Sequence, residues 1–242
     1  MEKHNERTRL LSTLLFAAGL LLAAALAIVA FWPDMEASLF DSSLTAEESI
    51  DRLSCPLLIT EDETAAIKAT FGNPFDRSVS FLVRTRISQG GVTLMREFSE
   101  VVELEAGASR QLQWEVTADD AAFGRMVLAR VYAFRRNPMP SRDAYCGIMV
   151  LGVTGLSGDA IAGMALVASL LAIGVGGAYW LHLERPLSGR RRDVARAIGA
   201  MAALVLVALL LSLLGLWGAG LAIFVGIILL AAAMLEHFFL AR

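Results

Sequence analysis

Four long apolar runs constrain this chain more than any other feature: Leu10 to Trp32, Ala160 to Leu181, Ala197 to Leu216 and Ala219 to Leu240. Each is long enough for a helix to cross about 30 Å of hydrocarbon, which takes about 20 residues. Charged residues occur only near the end of the fourth, at Glu236. With 56% hydrophobic residues and a mean hydropathy of +0.60, the composition is that of an integral membrane protein rather than a soluble domain. The first run follows "MEKHNERTR", spans 23 residues and ends in Phe31-Trp32-Pro33. A cleaved signal has a shorter apolar core of about 7 to 15 residues, so the run reads as an uncleaved span stopped by an interfacial aromatic and a proline.

Basic residues in short loops set the expected orientation. Residues 1–9 carry Lys3, Arg7 and Arg9, and the 182–196 loop carries Arg185, Arg190, Arg191, Arg192 and Arg196. Both belong in the cytoplasm, with Arg190, Arg191 and Arg192 expected to meet anionic lipid headgroups. The insert between the first two spans then lies outside the inner membrane, in a periplasmic or extracellular space, and both termini are cytoplasmic.

That insert contains both cysteines, Cys55 and Cys146. The compartment permits disulfides, so a Cys55–Cys146 bridge is expected; in the chain-entropy model a loop of this length is worth about 4 to 5 kcal/mol. The pattern from 54 to 152 is of short apolar runs separated by turn residues. Strands are expected at Cys55 to Thr60, Ala65 to Phe71, Val79 to Ser88, Thr93 to Leu104, Arg110 to Val116, Met126 to Phe134 and Ala144 to Leu151. Alternation is plain where Val79, Phe81, Val83, Thr85 and Ile87 share one face. Gly72-Asn73-Pro74, Gln89-Gly90-Gly91, Glu105-Ala106-Gly107 and Asn137-Pro138-Met139-Pro140 supply turn chemistry.

The stretch "VVELEAGASRQLQWEV", a strand, a glycine turn and a strand with an inward Trp, resembles bacterial immunoglobulin-like modules of the CARDB kind. The resemblance covers only the insert and implies a two-sheet sandwich. The expected fold class is therefore an α+β membrane protein, four transmembrane helices with an all-β immunoglobulin-like sandwich between the first and second. Before the sandwich, residues 33–53 form an acidic linker. Thr45 with Glu48 has capping-box spacing, which predicts a short helix burying Ile50 and Leu53.

From Pro33 to Gly158 there are 12 basic and 18 acidic residues, a net charge of −6, which disfavours nucleic acid as a partner. The central turns of the spans hold no ionisable group of the kind that marks proton relays. All three histidines, His4, His182 and His237, lie outside the insert, so serine or cysteine triads and histidine metal sites are excluded there. No catalytic residue, metal ligand or cofactor is expected. Glycines at 163, 174, 176, 177, 199, 220 and 226 permit close helix approach and leave self-association open.

The function expected is that of a non-catalytic subunit bound to other membrane protein subunits in the lipid bilayer. Phe134, Arg135, Arg136, Met139, Arg142 and Tyr145, on "FRRNPMPSRDAY", form the expected partner-binding patch, because aromatic and Arg anchors are enriched in interfaces. The alternatives are a transporter or membrane-enzyme subunit sharing an active site at an interface, or an adhesion-like four-span protein.

Overall fold

A computed structural model describes residues 2–41, 46–184 and 189–236. The chain is α+β and divides into two compact units, one of residues Met1–Phe31 and Ala162–Arg242 and one of Trp32–Ile161. Its helices are α1 (Glu2–Leu39), α2 (Gly158–Leu183), α3 (Arg190–Leu213) and α4 (Trp217–Leu235).

Among the described residues three helical stretches are long and apolar enough to cross a membrane, Glu6–Leu39, Gly158–Leu183 and Ala195–Leu213, and Trp217–Ala233 is a shorter apolar helix. The fourth run thus begins two residues earlier than expected, and its end beyond 236 lies outside the described residues, as does His237. The 182–196 segment is not a loop throughout, since α3 already starts at Arg190. Asp193 in its first turn complements the positive end of the helix dipole and favours that early start.

In the helical unit, Ala23, Leu26 and Ala27 of α1 cluster with Val205, Ala208 and Leu209 of α3 and Ile227 of α4. Small residues set the α1–α2 approach: a Cβ on Gly19 would stand 2.8 Å from the Ala172 Cβ, and one on Gly176 would stand 2.6 Å from the Phe16 backbone nitrogen. Gly176 belongs to the stripe read from the sequence, whereas Gly19 does not. Gly163, Gly174, Gly199 and Gly226 face open space.

Among its described residues the second unit holds nine strands: β1 (Glu48–Ser49), β2 (Arg52–Ser54), β3 (Leu58–Thr60), β4 (Ala65–Gly72), β5 (Val79–Gln89), β6 (Gly91–Leu104), β7 (Ser109–Val116), β8 (Met126–Ala133) and β9 (Arg142–Leu151). A six-stranded sheet runs β1-β9-β8-β5-β6, with β3 also pairing β9; a three-stranded sheet runs β2-β4-β7. Period-2 alternation dictates the faces. Val79, Phe81, Val83, Thr85 and Ile87 are all buried, and the four apolar ones share one core cluster with Ile67, Phe71, Leu112, Trp114 and Val116 of the smaller sheet. Each such side chain contributes about 1.5 to 3 kcal/mol on leaving water. Phe71 and Phe81 meet across the sheets with ring centroids 5.6 Å apart.

The first expected strand, Cys55 to Thr60, is corrected by the structure. Only Leu58–Thr60 of it is strand, as β3, which pairs parallel with β9 in the large sheet, while the unexpected β2 just before it pairs antiparallel with β4 in the small one. The chain changes sheets at Cys55-Pro56, where proline has no N–H to give a ladder. The expected helix over 45–53 is also overturned. Glu48 and Ser49 pair with Arg142 and Asp143 instead, and Ile50 N–H donates to the Asp143 carbonyl at 2.9 Å. Thr45 lies outside the described residues.

The first helix does not stop at Pro33 but runs on to Leu39. An interior proline costs about 3 kcal/mol or more. Burial of Ala37 and Phe40 against Ala122 and Leu128 offsets that cost. Arg130 on β8 locks the same region, donating to the Phe40 and Asp41 carbonyls at 3.2 and 3.1 Å while pairing with Asp143.

Candidate functional site

Cys55 and Cys146 are joined by a disulfide, with Cα atoms 6.5 Å apart. Cys146 lies on β9 opposite Ala129 of β8, so the bond fixes the sheet-switching point of the chain to the middle of the larger sheet. The bond anchors a short segment whose strands β2 and β3 have only three residues each to hold it by pairing.

Loops 73–78, 105–108 and 134–141 follow or precede strand ends that share one end of the two sheets. Buried Asn73 stiffens this end. Its Nδ2 donates to the carbonyls of Arg77 at 2.8 Å, Leu104 at 3.2 Å and Glu105 at 2.8 Å, and its Oδ1 accepts from the Phe75 N–H at 3.0 Å. An asparagine here can serve donor and acceptor roles at once, binding two loops together through one side chain.

The six residues read as a partner patch separate into three groups. Phe134, half-buried, packs edge-on to Tyr132 at 4.8 Å and sits under the Arg84 guanidinium at 4.9 Å. Arg135 and Arg136 beside it are exposed; Arg135 pairs with Glu47 at 2.8 Å and Arg136 donates to Ser80 Oγ at 3.1 Å. These three come together. Met139 is turned into the core and is only 3% exposed. Arg142 is 9% exposed and spent on structure, meeting Glu48 at 3.0 Å and Asp51 at 3.4 Å. Tyr145 packs with the Ala37, Phe40 and Leu128 cluster, away from the loop.

Composition did not separate these groups. Met139 turns inward because its carbonyl and N–H pair with Arg136, closing the loop on itself. Arg142 is held by the 47–51 segment, where the sequence pointed to a helix. Of the headgroup arginines, Arg192 is exposed; Arg190 and Arg191 are the first two residues of α3.

Charge is organised along the outer face of the larger sheet as well. Arg86 contacts Asp41 at 2.7 Å and Glu97 at 2.9 Å. The hydrogen bond to the Asp41 carboxylate is the main cause that raises the guanidinium pKa above its usual value, so this arginine stays charged. Among the described residues no three His, Cys, Asp or Glu side chains gather as a metal site.

No family model matches the chain, and no curated protein matches it. Solved structures with partial likeness include a Bacteroides uniformis β-glucuronidase 2, at 16% identity over 39% of this chain and 12% of that one, with a TM-score of 0.31. A Paenibacillus cycloisomaltooligosaccharide glucanotransferase is 18% identical over 44% and 14%, with a TM-score of 0.32. A Listeria innocua β-glucosidase is 18% identical over 43% and 16%, with a TM-score of 0.30. The chain thus spans about one seventh of the length of these proteins, and likeness of this degree carries no statement about activity.

Proposed function

We propose that this chain is a non-catalytic accessory or scaffolding subunit of a larger membrane protein complex. In this reading four helices span the inner membrane, both termini are cytoplasmic, and the β unit is an immunoglobulin-like sandwich on the far side that docks a partner protein. The observation that carries the reading is the polarity of the β unit. At one sheet end β9 runs out toward α2, which starts at Gly158; at the other stands a stiffened set of loops offering Phe134, Arg135 and Arg136. A rigid presenter lowers the entropy cost of docking, and the disulfide accords with an oxidising compartment.

Purification in mild detergent tests this. A partner protein co-elutes with the wild-type chain and is lost from an Arg135→Glu/Arg136→Glu variant whose disulfide and circular dichroism are unchanged. The exposed ion pair to Glu47 is worth only about 0 to 1 kcal/mol, so the variant stays folded. Elution of the wild type as a lone monomer, or full retention of the partner by the variant, contradicts the proposal.

A further inference from the structure

The two ends of the β unit differ in chemistry as well as in connectivity. The loops around Arg135 present Arg135 and Arg136, whereas the end from which β9 leads toward α2 exposes Phe123, Val153 and Leu156 beside the acidic Glu61 and Asp62. The register places Met126, the first residue of β8, opposite Met149, near the end of β9, and the Val150 N–H donates to the Arg125 carbonyl at 2.8 Å. The turn Phe123-Gly124 therefore belongs to the end that joins the apolar helices.

Phe123 is an anomaly on two counts. Its φ is +54° and that of Gly124 is +64°, a left-handed conformation that glycine takes freely and a bulky aromatic rarely does. It is also 72% exposed, so no core contact explains an aromatic at a position suited to Asn or Gly. Backbone held in a disfavoured region points to a role for the side chain it presents. Beside it a cavity of about 520 Å³ is lined by Trp32, Glu36, Leu39, Phe123, Arg125 and Met126 among others. Trp32, Glu36 and Leu39 belong to α1, so one wall of the groove is the C-terminal part of that helix.

We infer that the Phe123 turn inserts into the outer bilayer interface, with phospholipid acyl chains as the occupant of the groove and Arg125 at headgroup level. Tryptophan and other amphipathic rings favour that depth, and an arginine there keeps its stem in the apolar layer while its guanidinium reaches phosphate. The anchor would hold the β unit at a fixed height above the membrane. This rests on the reading that the helices span a bilayer.

Both native cysteines are bonded, so a single introduced cysteine can carry a bimane label. Full-length Phe123→Cys, Arg125→Cys, Asn137→Cys and Leu21→Cys proteins are placed in phosphatidylcholine/phosphatidylglycerol nanodiscs. Sites 123 and 125 are expected to be quenched several-fold more than site 137 by lipid with a doxyl group at carbon 5, and several-fold less by aqueous iodide. Site 21 is quenched by a doxyl group at carbon 12. Equal iodide quenching at 123, 125 and 137, with site 21 still in lipid, overturns the inference alone. Shielding of 123 and 125 from both quenchers means that protein covers the turn, and also overturns it. Failure of lipid quenching at site 21 overturns the spanning reading and this inference together.

Discussion

Asp34 Oδ1 accepts the backbone N–H of Gly147 at 2.9 Å, tying the end of α1 to the middle of β9 beside the disulfide. The approach works because residue 147 has no side chain: a Cβ there would run into the backbone of Pro33. A helix that passes through a proline is thus seated on the sheet by one glycine and one carboxylate.

Gly147→Ala is expected to destabilise the β unit by about 1 to 3 kcal/mol, the usual range for overpacking, and to loosen the α1 end. Asp34→Ala leaves an N–H unpaired and costs about 1 to 3 kcal/mol, whereas Asp34→Asn, which keeps an accepting oxygen, costs less. Denaturant unfolding of the three variants in detergent gives the ranking; an Asp34→Asn as damaging as Asp34→Ala contradicts this role.

The disulfide closes a separation of 91 residues. Cys146→Ser is expected to lose about 4 to 5 kcal/mol on the chain-entropy model, and unfolding followed with and without reductant checks it. Partner binding should fall only in proportion to unfolding, because the bridge lies in the sheet and away from Arg135.

Asn73→Ala removes three donated bonds and one accepted bond at once. A loss of about 2 to 4 kcal/mol is expected, since several buried backbone groups are left short of partners. Faster hydrogen exchange at Phe75 and in loops 73–78 and 105–108, with β8 and β9 unchanged, distinguishes local loosening from global unfolding.

In the helical unit, Gly19→Leu is expected to push α1 from α2 and lower the apparent midpoint of thermal unfolding by several degrees, whereas Gly163→Leu, which meets open space, is expected to leave it unchanged. Parallel melts of the two variants in one detergent compare them directly.

Strands from β4 onward were legible because their signals are local: alternation writes Val79 to Ile87 onto one face whatever the rest of the chain does. Where distant contacts decide, local signals misled. Thr45 and Glu48 have helix-cap spacing, yet Glu48 is held by Arg142, 94 residues away. Pro33 reads as a stop, yet burial of Ala37 and Phe40 carries the helix past it. The loop proposed for docking stands out by its aromatic and basic content, but composition does not record which side chains turn inward, so the expected patch included the buried Met139 and Arg142. Phe123 left a signal in the Phe-Gly pair of "AAFGR", a turn with an aromatic where polar residues are usual.

The central claim is that the β unit lies outside the membrane with the charged loops pointing away from it. The direct measurement is labelling of intact cells with a membrane-impermeant maleimide, using Asn137→Cys and Ser188→Cys variants of the full chain. Labelling at 137 on intact cells, and at 188 only after permeabilisation, is the expected result; labelling of 188 on intact cells with 137 protected would contradict the topology, the compartment of the disulfide and the proposed docking face together.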